Sequence, residues 1–282
     1  MNIDRLAWSD PPKVRPKGEA TGEKSPNRSV FQQAVKNCLR WYLIRAQFLI
    51  NIRMTKDKIK KYSHLFSGKL LDIGAGRKPY RFLFSQVDEY IGTNAISYYD
   101  NSPDKGEVGR CTDLWVSDGT QLPFKKENFD DVVSFQVLSI IRQPDLFIKE
   151  ASRVLRPGGM LMITTDFIYP KWDLKDAVRH TDTNLRLLGI ENGFDVLAVE
   201  SYGGFWTMYY SLFLRYVRSY PGILKAKKSL AVRMLCGLVY SSILVSQPLI
   251  SLCGCVVYVL ERNLTSEFDY TMNNLLVARK KG

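Results

Sequence analysis

The sequence predicts an α/β fold: a doubly wound, mostly parallel sheet with helices on both faces. Three observations carry this prediction. Short β-type runs alternate with helical patterns across residues 69–168, the rhythm of strand, crossover and parallel strand. A Gly-x-Gly pair, Gly74 and Gly76, directly follows the first run, at the strand end where open α/β sheets bind ligands. A helical pattern over Pro144–Leu155 separates the last two runs. The length of 282 residues suits one decorated domain or two small ones, and a content of 45% hydrophobic and 24% charged residues excludes a fibrous or wholly disordered chain.

Taken in order, residues 1–28 are rich in Pro, Lys, Gly and Ser without apolar periodicity, which predicts a disordered basic tail. They hold no apolar stretch of the kind a secretory signal needs. Residues 29–66 follow as N-terminal amphipathic helices, with Val30, Ala34, Cys38, Leu39, Trp41 and Tyr42 at helical spacing, Arg40, Arg45 and Arg53 between apolar positions, and Ser29 as N-cap. Packing on the next domain and lying on a membrane surface are both open to them.

Residues 67–201 form the expected core. Lys69–Ile73, Glu89–Gly92, Asp131–Phe135 and Met160–Thr164 read as strands, the last entered through a turn at Arg156-Pro-Gly-Gly159. The 144–155 helix turns Leu146, Phe147, Ile148, Ala151, Val154 and Leu155 inward. Asn184–Gly193 reads as a helix ending at glycine, and Phe194–Glu200 as another strand.

Charge divides the chain further. The net charge is +12, yet residues 67–200 are net acidic, and no acidic residue occurs from Ser201 to Leu260. That asymmetry points to a polyanionic partner. Met234–Leu260 carries no charge at all, which favours an anionic membrane surface over nucleic acid. Pro248 divides the run into pieces too short to span a bilayer but suited to a hairpin lying in one leaflet. Phe205, Trp206, Tyr209, Tyr210 and Tyr216 beside Arg215 and Arg218 match interfacial preference. The five cysteines show neither metal-ligand nor disulfide-framework spacing, so no metal site is expected.

The motifs form an ordered series: Leu70-Leu-Asp-Ile-Gly-Ala-Gly, Tyr90-Ile-Gly-Thr-Asn94, Ser117-Asp-Gly-Thr-Gln-Leu-Pro-Phe124, Asn128-Phe-Asp-Asp-Val-Val-Ser-Phe-Gln and Arg153-Val-Leu-Arg-Pro-Gly-Gly159. This series resembles the class I S-adenosylmethionine-dependent methyltransferases, in particular the small-molecule type. The resemblance covers about residues 68–200 and the final strand, and implies a Rossmann-like methyltransferase fold of seven strands closed by residues 269–282. Residues 202–268 then become an apolar and basic helical insertion between two strands of one sheet. A single membrane span there would leave the closing strand on the wrong side.

The resemblance also implies site roles. Asp72, Gly74, Ala75 and Gly76 would hold the amino-acid part of S-adenosylmethionine. Asn94 would hold the ribose hydroxyls, and Asp118, with Gly119 beside it, the adenine amino group. Phe135 and Gln136 would touch the methionine end. Two positions depart from the family pattern: Lys78 replaces the third glycine, and Asn94 the usual acid. An Asn hydrogen bond to ribose lacks the strength a carboxylate gives.

The family has no universal base. His180 and Asp166 are the candidate catalytic residues, both beyond the fourth strand; His180 has a suitable ionisation range, and a capping or packing role is its alternative. The expected function is thus a membrane-associated methyltransferase on the cytoplasmic face, peripheral or monotopic, acting at oxygen on a lipidic or lipid-linked acceptor, with a polyprenyl-linked saccharide and a quinone precursor both open. A non-catalytic scaffold retaining the fold is the second reading, motivated by Lys78 and Asn94. No Asn/Asp-Pro-Pro-aromatic motif is present and the core is acidic, so nucleic acid is not an expected partner.

Overall fold

The computed structural model describes residues 52–97, 105–169, 177–226 and 271–282, together with single residues and short stretches of 229–260. The expected basic tail, the Ser29 cap, most of the amphipathic helical region and much of the apolar insertion lie outside the described residues.

Seven strands form one sheet in the order β3-β2-β1-β4-β5-β7-β6. They are β1 (Gly68–Ile73), β2 (Val87–Ala95), β3 (Leu114–Val116), β4 (Phe129–Phe135), β5 (Leu155–Asp166), β6 (Phe194–Tyr202) and β7 (Asn273–Lys280). The pairs from β3 to β5 are parallel. Strand β7 runs antiparallel to both β5 and β6; it is the expected antiparallel strand, but it is inserted between those two and leaves β6 at the edge. The sequence did not mark β3, whose three residues are too few for a periodic signal.

Alternation along the strands divides the core in two. Leu70, Val133, Met160, Met162, Leu275 and Val277 face one side. Leu71, Val132, Leu161, Ile163, Leu276 and Ala278 face the other, where helices Pro144–Val154 and Asp182–Glu191 cover them. Pro144 opens the first of these helices, where its missing N–H costs nothing; Leu146, expected to face inward, is exposed. The Thr181 hydroxyl caps the second by accepting from the Asn184 N–H.

Two local features differ from expectation. Strand β5 begins at Leu155, already paired with Phe129, and the expected turn at Arg156–Gly159 is an irregularity inside the strand. A side chain on Gly159 would overlap the Asp130 carbonyl, which explains why glycine stands there. The first crossover, between β1 and β2, holds only a 3-10 turn at Arg81–Leu83 instead of an α-helix. Tyr80 and Phe84 from this short crossover pack on Phe135 of β4, with ring centroids 5.1 and 6.2 Å apart. Those aromatics cover the sheet face that a helix would otherwise cover.

Residues 52–62 form helix α1 on the same face. Glu200 of β6 fastens it, receiving hydrogen bonds from Lys58 (2.6 Å), Lys61 and Tyr62. Burial alone would raise the Glu200 carboxyl, but these three donors outweigh it and hold it at about 2. Its folded value is thus below its unfolded value, so its stabilisation is complete above the ordinary carboxylate range and fades as pH falls toward 2. Glu200→Gln is expected to cost about 2 kcal/mol at neutral pH and to flatten the acid limb of a stability-against-pH curve measured by urea unfolding.

Candidate active site

The glycine loop follows β1 and is held to β2 by its own amides. The N–H groups of Gly74 and Ala75 both donate to the Thr93 carbonyl at 2.9 Å, and the Gly76 N–H donates to Asn94 Oδ1 at 2.8 Å. Gly74 has φ +80, and a side chain there would overlap Val137. The loop therefore offers no nest of free amides to a phosphate, unlike a phosphate-binding glycine loop.

What the site offers is an acceptor. Asp72 is 1% exposed; its Oδ2 accepts from the Tyr90 hydroxyl at 2.5 Å, and its Oδ1 has no partner. Burial, opposed by the Tyr90 hydrogen bond and the Lys78 charge, pushes this carboxyl up to about 7. A buried, unpartnered carboxylate oxygen is costly unless a donor arrives. An ammonium group satisfies both its charge and its lone pair.

The two departures from the family pattern have structural explanations. Lys78 keeps the left-handed backbone of the glycine it replaces, with φ +54. Its side chain runs over Gly92, where any Cβ would overlap it, and ends in an ion pair with Asp113. Asn94 is buried, and its Nδ2 donates to the Gly76 carbonyl at 3.1 Å and to Thr112 Oγ1 at 2.7 Å. One amide hydrogen therefore braces the glycine loop, and the other is held by Thr112, whose hydroxyl donates to the Val108 carbonyl. An amide can accept from one loop N–H while donating to a loop carbonyl, and an acid in its place could only accept.

Asp118 is exposed and shapes its own turn, its Oδ1 accepting from the Thr120 N–H at 2.9 Å. Gly119 lies under it where a Cβ would crowd Phe147 at 2.8 Å. Phe135 and Gln136 end β4 beside the loop, Gln136 with φ +60 and its N–H donating to the Thr164 carbonyl at 2.9 Å.

The two candidate bases are placed on opposite faces of the sheet. Asp166 ends β5 opposite Asn273, buried, and its charge acts on both Tyr80 and Tyr202. His180 is 1% exposed on the other side, where its carbonyl accepts from Asn274, the neighbour of Asn273 along β7. Its Nδ1 lies 2.7 Å from Asn184 Oδ1, and its buried Nε2 has no partner. Among the described residues no group of three or more His, Cys, Asp or Glu could hold a metal ion.

Sequence reasoning missed Tyr90, Tyr80 and Tyr202, since an isolated tyrosine in a strand or loop carries no pattern. It also missed Thr55 of α1, whose Oγ1 lies 3.2 Å from the Tyr202 hydroxyl although its helix is far from the site in the chain.

Comparison with known proteins agrees with the geometry. Residues 71–163 match the methyltransferase domain family. A demethylmenaquinone methyltransferase of Streptomyces avermitilis is 31% identical over 108 residues, covering 37% of this chain and 44% of that protein. The ubiquinone/menaquinone biosynthesis C-methyltransferase UbiE of Paracoccus denitrificans is 43% identical over 104 residues, 33% of this chain and 40% of the relative. A fatty-acid O-methyltransferase of Mycolicibacterium smegmatis is 35% identical over 72 residues, 25% and 26% of the two chains. The chain thus spans less than half the length of the relatives it matches.

Proposed function

We propose that this chain, which carries a class I S-adenosylmethionine-dependent methyltransferase domain, transfers a methyl group to oxygen of a lipidic or lipid-linked acceptor at a membrane surface. The observation that carries the cofactor assignment is the pairing of a glycine loop whose amides are spent with a buried, unpartnered Asp72 oxygen. That arrangement suits a cationic amino-acid group and not a pyrophosphate. When bound, S-adenosylmethionine supplies an electrophilic methyl on a sulfonium.

The chain's own residues then bind and orient. Asp72 accepts from the ammonium, the tight Gly74–Gly76 backbone lets the ligand approach, and Asp118 at the exposed turn takes the adenine amino group. Asn94 keeps the loop in shape and can still accept from a ribose hydroxyl with its second lone pair. The wall of Phe135, Tyr80 and Phe84 excludes water from the methionine end, where in-line approach of the acceptor is needed. Asp166 shares the face of Asp72 and Phe135, which favours it over His180 as the group that receives the acceptor's proton.

The lipidic acceptor is supported by the named activities of the relatives, quinone and fatty-acid methylation, and by the surface next to the site. Helix Phe205–Ala226 leaves β6 with Phe205, Trp206 and Tyr209 exposed and clustered, centroids 5.1 to 6.5 Å apart. Met234, Leu238, Val245 and Leu249 of the basic, acid-free stretch are also exposed. Among the described residues no helix is long and apolar enough to cross a membrane, and the proposed contact is peripheral or monotopic, on the cytoplasmic face.

Flotation with vesicles containing phosphatidylglycerol tests this. The full chain is expected to float with them and to be released by salt. Trp206→Ser with Tyr209→Ser should lower partitioning by about tenfold or more, each buried aromatic contributing about 1.5–3 kcal/mol. Equal flotation of wild type and double variant would contradict the assigned surface.

A further inference from the structure

A buried polar cluster adjoins the methionine end of the site; it takes in Gln136, expected to touch that end, and Tyr80 of its wall, but the hydrogen bonds that join Gln136 to Asn273 and Tyr202 have no role above. Gln136 Nε2 donates to Asn273 Oδ1 at 3.1 Å and to the Tyr202 hydroxyl at 3.4 Å. The Tyr202 hydroxyl also lies 3.2 Å from Thr55 Oγ1 of α1, and Tyr80 is buried in the same cluster as Tyr202. Each of these groups is brought in by a different element: the end of β4, the start of β7, the end of β6, helix α1 and the first crossover. Glu200 holds α1 in place for this junction from two residues before Tyr202.

The hydrogen-bond inventory of the cluster is unbalanced. Gln136 Oε1 is buried and has no partner. Burial pushes the Tyr80 hydroxyl up to about 12, and Tyr202 well upward, so both remain protonated near neutrality. No Lys or Arg takes part in these hydrogen bonds, and the carboxylates whose charge acts on the two tyrosines are Asp72 and Asp166 for Tyr80 and Asp166 for Tyr202. Such a cluster repels a carboxylate, which brings negative charge and no hydrogen to donate. A hydroxyl brings the missing donor without charge. The ammonium of the cofactor does not compete for this position, since Asp72 Oδ1 is the acceptor matched to it by charge.

We infer that Gln136, oriented by Asn273 and by the Thr55–Tyr202 pair, forms a subsite that accepts a hydrogen bond from a neutral hydroxyl of the methyl acceptor, so that the substrate class is a hydroxyl-bearing lipid and not a fatty acid. The inference rests on the methyltransferase reading and narrows it. Tyr202 and Thr55 are positioning residues for the subsite. They do not exchange protons with the substrate.

The test uses the full chain saturated with S-adenosylhomocysteine and two probes with apolar tails, 4-hexylphenol and octanoate, titrated by calorimetry. The phenol is expected to bind at least tenfold more tightly than octanoate. Gln136→Met and Tyr202→Phe should each weaken the phenol by about fivefold, the effect of one neutral hydrogen bond, and leave octanoate unchanged. Tyr202→Phe should keep wild-type affinity for S-adenosylhomocysteine, which also reports its folding. Octanoate binding as tightly as the phenol, or phenol affinity unchanged in both variants, would overturn the subsite alone. Failure of the wild-type chain to bind S-adenosylhomocysteine would overturn the methyltransferase reading, and the subsite with it.

Discussion

Asp72→Asn is expected to weaken S-adenosylmethionine binding at pH 8 by about 100-fold, because a buried hydrogen bond between charged groups contributes about 1.5–3 kcal/mol. The same substitution should not harm the free protein. Asp72 has a folded value near 7, above that of an unfolded aspartate. Its sign is therefore opposite to that of Glu200: it lowers stability as pH rises from the ordinary carboxylate range to about 7. Removing the charge should leave the apo fold at least as stable at pH 8 while cofactor affinity collapses, a trade of stability for function.

The pH dependence of binding follows from the same geometry. An ammonium ligand needs the carboxylate form, so affinity should rise with pH up to about 7 and then level off. Tyr90→Phe removes a hydrogen bond that favours the carboxylate and should move this midpoint to higher pH, whereas Asp72→Asn should abolish the dependence. Calorimetric titrations across the neutral range check all three.

The second large effect concerns the sheet. Asp131→Ala is expected to cost about 3 kcal/mol in urea unfolding, because two backbone donors lose a charged acceptor at once. Asp131 is 4% exposed; its Oδ1 accepts from the Met160 N–H at 2.8 Å and its Oδ2 from the Ser67 N–H at 2.7 Å. It thereby ties the entry to β1 and the irregularity in β5 to β4, which lies between them. Asp131→Asn keeps one acceptor oxygen and should lose about half as much.

Asp131 also shows where the sequence is silent. Phe129-Asp-Asp-Val-Val-Ser-Phe135 reads clearly as a strand because Val132, Val133 and Phe135 are apolar and β-prone. Nothing in the run tells that its second acid turns inward to bind two backbone amides, one on β5 and one just before β1. Strands and helices with strong local patterns were legible to within a few residues: Phe194–Glu200 was expected and Phe194–Tyr202 found, Pro144–Leu155 expected and Pro144–Val154 found. The loss of the first crossover helix was not, since Lys78-Pro-Tyr80 allows either a helix start or a turn, and tertiary packing of Tyr80 and Phe84 decides it.

The site was legible in the same uneven way. Asp72 and the glycine loop stand out because strand, acid and glycine occur in a fixed order. The role of Asn94 as a brace depends on a carbonyl eighteen residues away, and the opposed placement of Asp166 and His180 depends on the pairing of β5 with a strand more than a hundred residues later. The Thr55–Tyr202 contact joins residues 147 apart in the chain. Local patterns hold no information about such contacts.

Titration of the wild-type chain with S-adenosylmethionine and, separately, with NAD tests the central claim most directly, since the two ligands ask whether the loop serves a cationic amino acid or a pyrophosphate. Micromolar binding of S-adenosylmethionine and none of millimolar NAD is the result expected from a loop whose amides are spent and an aspartate oxygen that lacks a donor. No heat with millimolar S-adenosylmethionine in a folded sample would contradict the methyltransferase assignment and leave a scaffold that keeps the fold without its cofactor.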